Sequence, residues 1–414
     1  MKAYDDGIVD INFTKDEAVF ILDGGYLLHA VVWPKVSTFH DITERYVNYV
    51  SKKYGANVII VFDGYPENAT TKQQEQSRRA AKRTSSEIIF SDDTICTTPQ
   101  VEFLANSQNK KRLIEAVKTK CHAANIQTIT ANDDADTEIV DQAIKSIQLG
   151  SIVVVVGTDT DLLVLLVALA PPTENKLFFW KPIATSTNTG TVYSVQFLIH
   201  MYGNQRKLIL FAHAVTGCDT TSALYGIGKM KAVSLITTPT DLKDAANHFI
   251  QPHMEKDLLF QNGERFLLCL YGLAKYKNLD EARYFKFKQL NAKMSLKSKF
   301  DLARLPPTKN AARQHLLRTY LQVQTWLGNE LSSIEWGWQR REYKLTPIPM
   351  TCPAAPNELL MLISCNCKTS CGKSCTCRRA GLECSDMCGH CNGLSCSNTS
   401  KNTEEIFEDD CDAQ

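Results

Sequence analysis

Asp159 and Asp161 sit in "VVVVGTDTDLLVLL", two carboxylates wedged between apolar runs. Charge beside a core is costly unless something partners it. The pattern recurs along the chain. Asp23 closes "VFILD", Asp63 closes "VIIVFD", Asp134 and Asp136 follow "IQTITA" in "NDDADTE", and Asp219 lies in "AVTGCDTTSALYGIGKMKA". Acids gathered at one place form a strongly negative pocket that calls for cations. Oxygen-only donors favour a hard ion such as Mg²⁺ or Mn²⁺, and a pair of such ions is suited to phosphodiester hydrolysis. Any one of these aspartates alone reads as a helix N-cap. The doubled D-x-D spacing, and an Asp closing two apolar strands, go beyond capping.

A second set of residues has different chemistry. Cys365, Cys367, Cys371, Cys375, Cys377, Cys384, Cys388, Cys391 and Cys396 follow the pattern C-x-C-x3-C-x3-C-x-C-x6-C-x3-C-x2-C-x4-C. Nine thiols at short spacings are enough for three Zn²⁺ ions if some sulfurs bridge. Their odd number speaks against disulfides. So small a segment has little apolar core, so metal must supply most of its folding energy. His390 lies between two of these cysteines and is expected outside the ligand set.

The elements that must position the acids can be read from periodicity. Continuous Val/Ile runs alternate with helix-patterned segments such as "TERYVNYVSKKYG" and "TEIVDQAIKSIQLG". That pattern predicts an α/β fold with a parallel sheet covered on both faces. In such sheets ligands bind beyond the carboxyl ends of the strands, where these acids fall. Residues 241–345 read as a helical region, 352–400 as the cysteine module, and 401–414 as a disordered acidic tail. A chain of 414 residues with net charge +1 has no global positive field, so nucleic-acid binding must come from local patches. The N-terminus lacks a secretory h-region and the longest apolar run, "LLVLLVALA", is too short to span a bilayer. A soluble, intracellular protein of a reducing compartment is expected.

The ordered set strand–Asp, "VFDG" before a basic helix, D-x-D, "GTDTD" and "TGCD" before "GIGKMKA" resembles the flap endonuclease/XPG superfamily of structure-specific 5′ nucleases, which have a PIN-like fold. The resemblance covers about residues 17–240. It implies that Asp23, Asp63, Asp134 and Asp136 hold one divalent ion. Asp159, Asp161 and Asp219 would hold a second, with Asp136 between the two. It implies hydrolysis of DNA by a two-metal mechanism at a branch or at a junction of single and double strand. Asp134-Ala-Asp136 stands where the family usually has Glu-x-Glu, so its carboxylates reach about one methylene less far.

Groups for the phosphate follow. In "ENATTKQQEQSRRAAKR", Lys72, Gln76, Arg79 and Arg83 share a face at helical spacing. By the resemblance, Lys72 and Arg79 clamp the scissile phosphate, and His29 stacks on the adjacent base. Tyr26, on the same segment as His29, reads as core. "ALYGIGKMKAVSLI" matches a helix–hairpin–helix pattern, in which Gly226 and Gly228 let backbone N–H groups approach phosphate and Lys229 and Lys231 add charge. The segment from Thr84 to Thr128, with Lys110, Lys111, Arg112, Lys118 and Lys120, would cover the active site.

The cysteine spacing resembles the tesmin/CXC module, which binds DNA in its family, and more loosely the pre-SET zinc cluster. Three Zn²⁺ and nine thiolates sum to minus three, which Lys368, Lys373, Arg378 and Arg379 only about offset after the local acids. Zinc-stabilised docking, to DNA or to a protein, is therefore expected of it. A nuclear, Mg²⁺- or Mn²⁺-dependent nuclease is the leading expectation. The alternatives are a non-catalytic DNA- or chromatin-binding factor on the same scaffold and a PIN-like ribonuclease.

Overall fold

The computed structural model describes residues 2–10, 14–64, 85–132, 134–173, 176–183, 190–237, 242–291, 302–341, 344–352, 364–368, 371–385, 388–394 and 396–399. The chain forms two compact units, residues 1–349 and 350–414.

The first unit is built on a six-stranded sheet. Its strands are β1 (Ala18–Asp23), β3 (Val58–Phe62), β5 (Gln127–Thr130), β6 (Ile152–Val156), β7 (Leu177–Pro182) and β8 (Gly190–Ser194). They lie in the order β5-β3-β1-β6-β7-β8, and every pair is parallel except the β7–β8 edge. The short β2 (Ser37–Thr38) and β4 (Ile95–Cys96) pair separately.

Successive side chains of a strand face opposite sides, so each apolar run feeds two cores. Ile21, Val61, Val153 and Val155 point into one, and Phe20, Leu22, Ile60, Phe62, Val154 and Val156 into the other. Both sets are buried, which is why the runs are continuous rather than alternating.

Helices α1 (Gly24–Ala30), α2 (Phe39–Tyr54), α3 (Gln100–Ala105) and α4 (Ser107–Ala123) bring Leu27, Tyr46, Phe103 and Val117 to the Phe20 face. Helices α5 (Ala135–Gln148), α6 (Thr160–Leu169), α7 (Val195–Tyr202) and α8 (Leu208–Val215) cover the Ile21 face. In α6 every residue from Leu162 to Ala168 is fully buried, as its all-apolar sequence requires.

The same core runs on into α9 (Lys229–Thr237), α10 (Leu242–Asn247), α11 (Lys256–Leu270), α12 (Leu279–Asn291) and α13 (Lys309–Trp326). Phe211 of α8 stacks near Phe249 and Phe266, with ring centroids at 4.4 and 4.8 Å. Such aromatic contacts tie the later helices to the layer that covers the sheet. Where the periodicity suggested helix throughout, Trp338–Arg341 (β9) and Lys344–Pro347 (β10) form an antiparallel hairpin. Buried Arg318 of α13 reaches it, donating to the carbonyls of Gly337 and Ile348. The residues before β1 also belong to this unit. A 3₁₀ turn, Lys2–Gly7, buries Tyr4, and the Val9 N–H donates to the Val192 carbonyl at 2.9 Å.

Among its described residues the second unit has one turn of helix, α14 (Thr376–Arg379), and a core made of cysteine side chains. Among the described residues no helix is long and apolar enough to cross a membrane.

Candidate metal centres

Four neighbouring strands, β5, β3, β1 and β6, run parallel, so their carboxyl ends share one edge of the sheet. Asp23 is the last residue of β1, Asp63 follows β3, Asp134 and Asp136 follow β5, and Asp159 and Asp161 follow β6. All six acids are thus delivered to one rim by sheet order alone.

Capping then sets their directions. Asp23 Oδ1 accepts from the Gly25 N–H at 2.7 Å, Asp134 Oδ1 from Asp136 at 3.0 Å, and Asp159 Oδ1 from Asp161 at 3.0 Å. Each caps the helix that its strand runs into, so the capping reading of these residues is correct as local structure. It also holds each carboxylate at the strand-to-helix turn, and cap and ligand are compatible roles for one side chain.

Cross-links draw neighbouring ends together. Asp63 Oδ1 accepts from the Ala135 N–H at 3.3 Å, joining the β3 end to the turn that carries Asp134 and Asp136. A Cβ on Gly157 would lie 3.5 Å from the Asp23 Cβ and 2.7 Å from Leu162, so the residue after β6 must be small where it passes β1. On the other side, Asp159 responds to the charges of both Asp161 and Asp219. Loss of surrounding water, then the charge on Asp161 and Asp219, pushes its pKa up to about 6. Burial alone would raise Asp161 too. The hydrogen bond from His213, with the charge of Lys229 nearby, outweighs it and holds Asp161 below the usual carboxylate range. Among the described residues no three of these acids bring oxygens within 4.8 Å of one another. They share a rim rather than a closed cage.

Gly217 turns the chain toward Asp219 with φ +107°, and a Cβ there would lie 2.5 Å from Ala223 Cα. The loop beyond keeps Gly226 in the left-handed region at φ +69°, and a Cβ on either Gly226 or Gly228 would meet nothing within 4 Å. The backbone is therefore open to close approach at both glycines. Lys231 is exposed. Lys229 instead turns inward, its ammonium donating to the His213 carbonyl at 2.6 Å and to the Gly217 carbonyl. That contact pins the end of α8 to the start of α9.

His29 stays exposed on α1, and crowding of its ring by neighbouring groups, then the charge of Lys110, lowers its pKa. Tyr26 is half-buried, its hydroxyl 3.4 Å from that of Tyr49. Lys72 and Arg79 lie outside the described residues. Two groups at the rim escaped the sequence reading. Lys110 was one basic residue among five, yet its ammonium lies 3.8 Å from Asp63. His213, inside the apolar "LILFAHAV", had no neighbouring signal at all.

In the second unit the described thiols fall into three sets of four whose sulfurs lie within 4.8 Å. They are Cys365, Cys377, Cys384, Cys388; Cys365, Cys371, Cys375, Cys384; and Cys371, Cys384, Cys391, Cys396. Cys365, Cys371 and Cys384 recur between sets, and their sulfurs form a triangle with sides of 3.8, 3.9 and 3.7 Å. A cluster of this composition could hold zinc, since four sulfurs at that spacing suit a tetrahedral thiolate site. Cys367 belongs to no set. His390 also belongs to none of these sets.

No family model matches the chain, and no curated protein matches it. Among solved structures it is similar to the catalytic core of Rad2 in complex with a DNA substrate, with 15% identity and a TM-score of 0.41 over 79% of this chain and 93% of that one. It is also similar to flap endonuclease-1 from Methanococcus jannaschii, at 14% identity and a TM-score of 0.39 over 77% and 98% of the two chains. A third is the bacteriophage T5 D15 flap endonuclease in a pseudo-enzyme–product complex with DNA and metal ions, at 16% identity, 66% and 95% coverage and a TM-score of 0.37.

Proposed function

We propose that the chain is a divalent-metal-dependent, structure-specific 5′ nuclease that hydrolyses DNA phosphodiester bonds. The observation that carries this reading is the delivery of six aspartates to one rim by four neighbouring parallel strands, with Asp219, in the turn after α8, near enough for its charge to act on Asp159. The donor set is oxygen only, which fits hard cations. Asp23, Asp63, Asp134 and Asp136 would hold one ion, and Asp159, Asp161 and Asp219 the other, with Asp136 between. When bound, two such ions supply an activated water and neutralise charge on the leaving oxygen.

The chain's own residues do the rest. Lys110, beside Asp63, brings positive charge to the rim where a phosphate would sit. Lys72 and Arg79 retain the role that the sequence resemblance gives them. His29, exposed on α1 and within reach of the charge of Lys110, would stack on a base beside the scissile bond. The Gly226–Gly228 loop and Lys231 would hold duplex through its backbone without reading sequence. In the second unit Cys365, Cys371, Cys375, Cys377, Cys384, Cys388, Cys391 and Cys396 would hold zinc, with Cys365, Cys371 and Cys384 common to more than one set, and zinc would then stabilise a docking module. A nuclear location is part of the same reading.

The test is Mg²⁺-dependent cleavage of a 5′-flap DNA by purified zinc-loaded protein beside an Asp159→Ala/Asp161→Ala variant. Cleavage that the variant lacks is expected. A wild type inert on flap, nicked, gapped and single-stranded DNA while folded would favour the non-catalytic binding reading, and cleavage of RNA alone would favour a ribonuclease.

A further inference from the structure

We infer that His213 is a positioning residue for Asp161, holding that carboxylate in one orientation as a divalent-cation ligand; the inference rests on the metal reading of the rim. His213 lies on α8, 52 residues beyond Asp161, and its side chain is 2% exposed. Its Nε2 stands 2.6 Å from Asp161 Oδ1. A carboxylate that ligates a cation is ionised and only accepts, so the ring nitrogen donates. The Nε2–H tautomer satisfies this contact and leaves Nδ1 as a bare acceptor, and Nδ1 has no hydrogen-bond partner among the described residues.

The imidazole is enclosed, its side chain 2% exposed. It sits in α8 between the buried Ala212 and Ala214, and the Trp326 ring lies 5.9 Å from it. Its backbone carbonyl is held by Lys229. An apolar helix that carries one buried histidine, aimed at one oxygen of a rim aspartate, has no core-packing reason to choose that residue. A leucine would fill the space without an unpartnered nitrogen. Asp161 has the Asp159 cap on its backbone N–H and His213 on Oδ1, so both its backbone and its side chain are fixed. Outer groups of this kind set ligand orientation, and their loss typically weakens metal binding by about 10- to 100-fold.

The experiment is a Mn²⁺ titration of the full zinc-loaded chain followed by electron paramagnetic resonance. Wild type, His213→Leu and His213→Gln are compared, each checked for cooperative melting. The Gln amide nitrogen reaches where Nε2 stands and can donate to the same oxygen. Two Mn²⁺ sites are expected in wild type. In His213→Leu one of them should weaken by about 10- to 100-fold, and in His213→Gln it should recover most of that loss. Equal affinity in wild type and a folded His213→Leu would overturn the inference and leave the metal reading intact. Should the Leu variant not fold, the folded Gln variant decides: near-wild-type affinity supports the inference, and a loss of 10-fold or more refutes it. Absence of any Mn²⁺ site in wild type would overturn the metal reading and the inference together.

Discussion

On the reading proposed above, the acid rim and the cysteine module are two ways to build a place for metal, and they differ in what holds the donors. The rim takes six aspartates from positions 23 to 161 through the order of a hydrogen-bonded sheet, with Asp219 added from the turn after α8. Its donors are attached to a core that stands without them: Ile21, Leu22, Val153, Val154, Val155 and Val156 are all fully buried. The module takes nine cysteines from positions 365 to 396, and its core is those cysteines. In the first case the fold prepares the site. In the second, the site has to make the fold, because a segment so short buries too little apolar surface to offset chain entropy.

The sharpest way to break this contrast is to remove zinc. A strong zinc chelator should abolish amide-exchange protection across 364–399, since structural zinc contributes on the order of 10 kcal/mol to domains of this kind. Protection of β1, β3 and β6 should stay unchanged in the same sample. Comparable protection of 364–399 with and without chelator would mean that the module has a metal-independent core.

At the rim the expectation reverses. Asp159→Asn keeps the helix cap, because Asn caps as well as Asp, and removes one charge from a crowded acid cluster. Its melting temperature should match or exceed that of wild type. Cleavage should fall by about a thousand-fold, the equivalent of several kcal/mol of transition-state stabilisation. A large loss of stability would show that the rim is structural after all.

Within the module the sulfurs are unequal. Cys384 belongs to all three sets of four and Cys367 to none. Native mass spectrometry of Cys384→Ser should show loss of more than one zinc, and Cys367→Ser loss of at most one. Equal stoichiometry in the two variants would refute the shared-sulfur arrangement.

The smallest effect belongs to Lys231. Lys231→Ala should weaken DNA binding uniformly across sequences and lower the slope of log affinity against log salt by about 1. An unchanged slope would remove Lys231 from the interface, as the inward turn of the Lys229 ammonium already separates that residue from it.

Much of this was legible because it is local. The runs "VFILD", "VIIVFD" and "IVVVV" became β1, β3 and β6, since β-branched residues buried on both faces suit a parallel sheet. The antiparallel β7–β8 edge was not foreseen, because an edge strand lacks the long Val/Ile signature. The β9–β10 hairpin was absorbed into a helical reading, since four-residue strands such as "WQRR" show almost no period. The 3₁₀ turn before β1 was also missed. Tyr4 is a single aromatic whose burial depends on α7, with Tyr202 at 6.4 Å, and nothing in its neighbours reports that contact.

The sequence by itself determined that aspartates stand at strand ends and that nine thiols are spaced for shared metal, because strand period, capping and cysteine spacing act over a few residues. The tertiary structure decided which strand lies beside which, and so that β5, β3, β1 and β6 set their acids along one rim. It also decided that Lys110 meets Asp63, that His213 meets Asp161, and that Cys365, Cys371 and Cys384 are the sulfurs held in common. Each of these contacts joins residues that are neighbours only after the chain has packed, and burial and charge select such pairs through space rather than along the sequence.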